Sequence, residues 1–144
     1  MKLYTIGFTK KSAEDFFCRI RTHDVKRVVD IRLHPDGQLS GFARKTDLPF
    51  FLNELANGCG YIYLPNLAPT AEILKSYRAN NDWEMYVERF EALMGERDIP
   101  AALQPNDFDE ACLLCSEDEP DRCHRRLLAA RLAKSWENVE IIPI

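Results

Sequence analysis

An apolar run that stops at a polar loop and restarts as a helix constrains a chain strongly, and one lies at Ala111 to Arg126, ACLLCSEDEPDRCHRR. Ala111–Cys115 reads as a strand, and Cys123, His124 and the arginines open a helix. Strand, loop and helix start is where α/β proteins hold ligands, because unpaired helix N–H groups and strand-end side chains converge there. Glu117, Asp118, Glu119 and Asp121 suit the positive end of a helix macrodipole, and Pro120 fits a first helical position. Arg122, Arg125 and Arg126 do not suit it: cations in the first turns are disfavoured by roughly 0.3–1 kcal/mol each. Some other interaction is therefore expected to hold them. At about 100° per residue, Cys123, Leu127 and Ala130 form one stripe with Leu128 and Leu132 beside it. His124 falls inside that arc and is expected to point at the sheet.

The rest of the chain alternates in the same way. Lys2–Ile6, Val25–Ile31, Tyr61–Leu64 and Val139–Ile142 read as further strands by alternation or by continuous β-branched apolar character. Helical spacing follows Ser12 up to Thr22 or His23, follows a cap at Thr46 or Asp47 up to Gly58, and recurs over Thr70–Tyr77 and Asn80–Gly95. Leu33–Arg44 is a long loop, and Pro100 and Pro105 argue against a long element between Arg97 and Glu110. The expected fold is a three-layer α/β domain spanning residues 1–144, a mostly parallel sheet of about five strands with helices on both faces. Parallel strands share one C-terminal edge, so Thr5 and Gly7, Asp30 and Arg32, and Cys115 and Glu117 are expected to meet the start of the last helix.

Composition narrows the function classes. The chain has 144 residues, five cysteines and formal charge −4. An odd cysteine count in a chain able to build a core points to free thiols in a reducing compartment. No apolar run approaches a membrane span or a signal peptide, so a soluble, cytoplasmic protein with no membrane partner is expected. The charge excludes a globally basic nucleic-acid binder but not a local basic patch.

The chemistry-bearing residues leave alternatives open. Cys112 and Cys115 form C-x-x-C, but side chains three apart on a strand point to opposite faces, so the two cannot share a zinc ion without a break in the strand. Cys115, Cys123 and His124 with a carboxylate make an easier zinc site. The sharper alternative is a thiol nucleophile, because a strand end or helix N-terminus with Arg or His nearby lowers a cysteine pKa. Against it stands packing, a frequent fate of free cysteine. Asp30 and Arg32 fit either a structural ion pair or a site in which Asp30 accepts from His124 or Arg125 and Arg32 faces an anion. No G-x-G-x-x-G, P-loop, G-x-S-x-G or H-E-x-x-H pattern is present. No nucleotide cofactor is therefore assigned.

Thr5-Ile6-Gly7, Asp30-Ile31-Arg32 with Pro35, Gly41-Phe42, Gly60-Tyr61-Ile62-Tyr63-Leu64 and above all Leu113-Leu114-Cys115-x-Glu117-x-x-Pro120-x-x-Cys123-His124-Arg125 resemble, in order and spacing, the family of domains of unknown function DUF488. Phe8 stands where that pattern usually has histidine, and Ala68 where it commonly has glycine. The resemblance implies a compact α/β fold and carries no established reaction.

The reading reached is an enzyme or ligand binder for a small anionic or nucleotide-like molecule. Cys115, Glu117, Cys123 and His124 are its candidate catalytic residues; Thr5, Gly7, Asp30, Arg32 and Arg125 are its candidate ligand-binding residues. No metal is assigned. The alternatives are a nucleic-acid-associated module using Arg32, Arg44, Lys45 and Arg125, and a structural polar network tying the last helix to the sheet.

Overall fold

Five strands, all parallel, make one sheet in the order β3-β2-β4-β1-β5: β1 Lys2–Gly7, β2 Arg27–Asp30, β3 Gly60–Tyr63, β4 Ala111–Cys115 and β5 Glu140–Pro143. The structure is a computed structural model and describes residues 1–37 and 41–144. Among the described residues five α-helices connect the strands: α1 Ala13–Thr22, α2 Leu48–Leu55, α3 Ala71–Asn80, α4 Trp83–Glu96 and α5 His124–Ser135.

Strand alternation divides the core in two. Tyr4, Ile6, Val28, Cys112 and Leu114 face one side, where Phe16, Phe17 and Ile20 of α1 and Leu48 and Leu52 of α2 cover them. Leu3, Val29, Ala111 and Leu113 face the other, under Ile73 of α3, Phe90 and Met94 of α4 and Leu128 and Leu132 of α5. The three-layer α/β expectation holds, and the sheet is parallel throughout. Cys112 and Cys115 have opposite parity on β4, so Cys112 lies under α1 and α2 while Cys115 turns toward α5.

Strand order also fixes where a ligand can sit. From β2 the chain moves outward to β3; from β4 it crosses β1 to reach β5. The connections leaving the neighbouring strands β2 and β4 diverge to opposite faces, which opens a crevice beyond their carboxyl ends. The two segments entering that crevice are Asp30–Arg32 and Cys115–Glu117.

Helix starts are set by local chemistry. Ser12, Thr70 and Asp82 cap α1, α3 and α4, their side chains accepting from the N–H groups of Asp15, Ile73 and Met85. Asn81, in the left-handed conformation, separates α3 from α4, so α3 runs past Tyr77 and α4 begins at Trp83 rather than Asn80. Pro120 is not a first helical residue: its carbonyl accepts from Cys123 N–H at 3.3 Å in a turn, and extended Cys123 is the N-cap of α5. The acids Glu117–Asp121 therefore precede the helix instead of lining its first turn. In the long loop after β2, Gly41–Ala43 forms a 3-10 turn. Residues 38–40 of that expected loop lie outside the described residues. Among the described residues no helix is long and apolar enough to cross a membrane.

Candidate functional site

Asp30 and Arg32 form a closed ion pair at the end of β2. Arg32 donates from Nε at 2.8 Å and from Nη2 at 2.7 Å to the two carboxylate oxygens, and its backbone N–H donates to the same group at 3.1 Å. Tyr61 adds its hydroxyl at 2.6 Å, and Arg32 Nη2 also donates to the Ala43 carbonyl at 2.7 Å. Burial pushes the Arg32 pKa down, but the paired carboxylate more than offsets it and leaves it raised. Burial and the adjacent carboxylate both push the Tyr61 phenol up.

Of the two alternatives for Asp30, the ion pair with Arg32 is the one formed, and a bond from Asp30 to His124 is not. Asp30 has the parity of Val28 and lies on the α1/α2 side of the sheet, whereas His124 arrives from the α5 side. Its ring Nε2 instead meets the carbonyl of Ile31 at 2.7 Å. A carbonyl can only accept, so Nε2 carries a proton and Nδ1 is the nitrogen that faces the thiols.

Those thiols are in contact. Cys123 Sγ lies 3.0 Å from Cys115 Sγ, and His124 Nδ1 lies 3.5 Å from Cys115 Sγ. The Cys123 thiol donates to Cys115, His124 adds its positive ring, and the backbone N–H of Glu117 points at the same sulfur; against burial, these hold the Cys115 pKa well below its ordinary 9.0. The donor pays the reverse shift, for the bond to Cys115, burial and the neighbouring negative charge all push Cys123 up. Burial opposes the charged form of His124, but the facing Cys115 raises its pKa above the ordinary 6.5. The arrangement favours a Cys115 thiolate against a His124 imidazolium, at the start of α5 where the helix dipole favours an anion.

Arg125 locks the loop that carries Cys115. It is 2% exposed, its Nη1 donates to the Glu117 carbonyl, and its Nη2 donates to the Asp118 carbonyl at 2.7 Å. These bonds explain a cation in the first turn of α5. The guanidinium satisfies loop carbonyls, leaving Nε without a partner among the described residues. Gly7 makes room for it, since a Cβ there would overlap the Glu117 carbonyl and approach Arg125 Nη1 to 2.8 Å. Thr5 is buried on the same strand and lines no part of the cavity below.

Over the sulfurs opens a cavity of about 350 Å³. Cys115, Cys123 and His124 line it together with Arg32, Arg78 and Arg122. Phe8, Tyr77 and Tyr86 supply aromatic wall, and the Arg32 guanidinium lies over the Phe8 ring at 5.3 Å. Arg78 and Arg122 are exposed and form no ion pair among the described residues. Glu117 lines the cavity with an exposed side chain, while its backbone serves Cys115 and Arg125. Two of the other loop acids have partners of their own: Asp118 bonds Lys11 at 2.6 Å, and Asp121 lies 3.6 Å from Arg126. They do not oppose the thiolate directly.

The ligand atoms of Cys115, Cys123 and His124 lie within 4.8 Å of one another and are the set that could hold a metal among the described residues. Nε2 bonded to a carbonyl resembles the outer contact of a metal-ligating histidine. The sulfurs, however, sit closer than the roughly 3.7 Å that two Zn–S bonds of about 2.3 Å subtend at a tetrahedral angle. They would have to part to accept an ion.

Sequence reasoning brought Asp30, Arg32, Cys115, Glu117, Cys123, His124 and Arg125 to one sheet edge, and the structure puts them there. It missed Arg78, Tyr77 and Tyr86 as cavity wall, because α3 and α4 read only as amphipathic helices and nothing local shows which end of an apolar stripe overhangs a strand end. No curated protein and no solved structure matches the chain. The model of the domain of unknown function DUF488 matches residues 12–132, from the cap of α1 into α5, and includes the whole Cys115-to-Arg125 motif; the chain belongs to the DUF488 family.

Proposed function

We propose that this protein is an enzyme or ligand binder that takes a small anionic molecule with a flat, nucleotide-like ring into the β2/β4 crevice, with Cys115 as nucleophile and His124 as acid/base. What carries the reading is one coincidence: the paired thiolate and imidazolium open into the same cavity as three arginines and three aromatic rings. Cavities of this size with apolar walls and few convergent polar groups are the usual form of small-molecule sites. Arg122 and Arg78, without an ion pair among the described residues, are the cations for an anionic group, and Tyr77 and Phe8 offer faces for a ring. In the covalent step Cys115 Sγ bonds to an electrophilic carbon or phosphorus, the bond to the leaving group breaks, and the leaving group takes the Nδ1 proton of His124.

The nucleic-acid reading is less well supported. Arg32 and Arg125 are buried on internal acceptors and Lys45 lies over the Tyr63 ring at 4.4 Å, so three of its four cations are engaged within the fold.

Calorimetric titration with a nucleoside monophosphate, the matching nucleoside and orthophosphate tests the proposal. The monophosphate is expected to bind most tightly, and Arg122→Ala to weaken it about tenfold or more, as expected for one charge-assisted hydrogen bond. Arg122 is exposed and forms no ion pair among the described residues, so this variant should fold like the parent. Failure of all three compounds to bind would sink the reading.

A further inference from the structure

We propose that Cys115 and Cys123 are a two-thiol redox couple, in which a hydroperoxide oxidises Cys115 and Cys123 closes a disulfide onto it. The sulfurs are 3.0 Å apart in the reduced fold, and both line the cavity through which a small oxidant would arrive. Closing to the bond length of a disulfide requires an approach of about 1 Å. Arg125 holds the Glu117 and Asp118 carbonyls beside Cys115, so the approach falls to Cys123 and to residues 119–122 before it, which Arg125 does not hold and which are exposed or half-buried.

The remaining cysteines lack this setting. Cys18 lies on α1 away from the cavity, and Cys59 and Cys112 belong to the core under α1 and α2. Burial also holds the Cys59 thiol up at about 11 and raises Cys112. Cys115 is thus the thiol with stabilised negative charge, and Cys123 is its neighbour.

The chemistry balances in two steps. Cys115 Sγ attacks one peroxide oxygen, the O–O bond breaks, and the departing hydroxide or alkoxide takes a proton from His124, leaving a sulfenic acid on Cys115. Cys123 then gives up its proton, attacks Cys115 Sγ and expels the hydroxyl group as water, so that two thiols are oxidised and one peroxide is reduced. In a reducing compartment such a bond is transient, as expected of a redox-active rather than structural disulfide. The proposal shares its thiolate with the ligand chemistry above but needs no bound anion, so the titration and the redox test fail independently.

The test treats the reduced full-length chain with stoichiometric hydrogen peroxide and reads intact mass, free thiols and the linked peptide. Loss of two hydrogens, a Cys115–Cys123 crosslink and full recovery of thiols with dithiothreitol are expected. Cys123→Ser should instead accumulate a sulfenic acid at Cys115 that dimedone traps. Sulfinic acid at Cys115 with Cys123 still free, a crosslink through any other cysteine, or a stoichiometric metal that shields both thiols from peroxide would each overturn the proposal.

Discussion

Gly7→Ala is expected to destabilise the fold by about 3 kcal/mol or more, the upper range for forcing atoms into a packed site. The added methyl meets the backbone carbonyl of Glu117, which cannot rotate away, and the guanidinium of Arg125. Relief requires the loop after β4 to lift, which separates Arg125 from the Glu117 and Asp118 carbonyls it holds. The substitution should therefore lower stability and also displace the Glu117 N–H from Cys115. Gly95→Ala, in α4, is the control: its nearest neighbour would be Arg131 Nη2 at 4.0 Å, and alanine's better helix propensity should make it neutral or stabilising by up to about 1 kcal/mol. Urea melts of the two variants make the comparison. A Gly7→Ala midpoint equal to that of the parent would show that the loop is not clamped against β1.

His124→Gln is expected to slow alkylation of Cys115 at pH 7 by tenfold or more, the effect of returning its pKa close to the ordinary thiol value of 9.0. Glutamine retains an N–H donor for the Ile31 carbonyl but cannot carry charge, so the helix start stays anchored while the ion pair is lost. Alkylation of Cys18, on the far helix, reports general changes in exposure and should not move. An unchanged Cys115 rate would mean that the imidazole is only a packing partner, here beside the Phe90 ring at 5.8 Å.

Much of this was legible because it follows from periodicity. Continuous apolar runs at Val25–Ile31 and Ala111–Cys115 between helical stretches already imply parallel strands, and parallel strands gather their carboxyl ends on one edge. The phase of α5 already aims His124 at that edge. What failed was the step from edge to face: Asp30 and His124 reach the same edge from opposite sides of the sheet, and alternation along β2 places Asp30 with Val28, away from α5. The role of Arg125 was hidden for another reason. Its acceptors are backbone carbonyls, and no side-chain pattern marks a carbonyl as free. The cysteine pair shows the same limit, since Cys115 and Cys123 are separated by a loop whose closure depends on Gly7 and Arg125 rather than on the loop's own sequence.

The most direct test of a Cys115 thiolate is its alkylation rate as a function of pH, measured peptide by peptide against Cys18. The sign follows from the two shifts. A lowered Cys115 pKa stabilises the fold above the ordinary thiol value of 9.0 and loses that contribution as pH falls through the folded value. A raised His124 pKa stabilises the fold below 6.5 and loses it as pH rises through its own folded value. The thiolate and imidazolium coexist wherever the pH lies above the folded Cys115 value and below the folded His124 value. Cys115 alkylation should then stay nearly level as pH falls from 9 through neutrality, where an ordinary thiol slows by about tenfold per unit. A Cys115 rate that falls in parallel with Cys18 from pH 9 downward would contradict the thiolate and, with it, the proposed nucleophile.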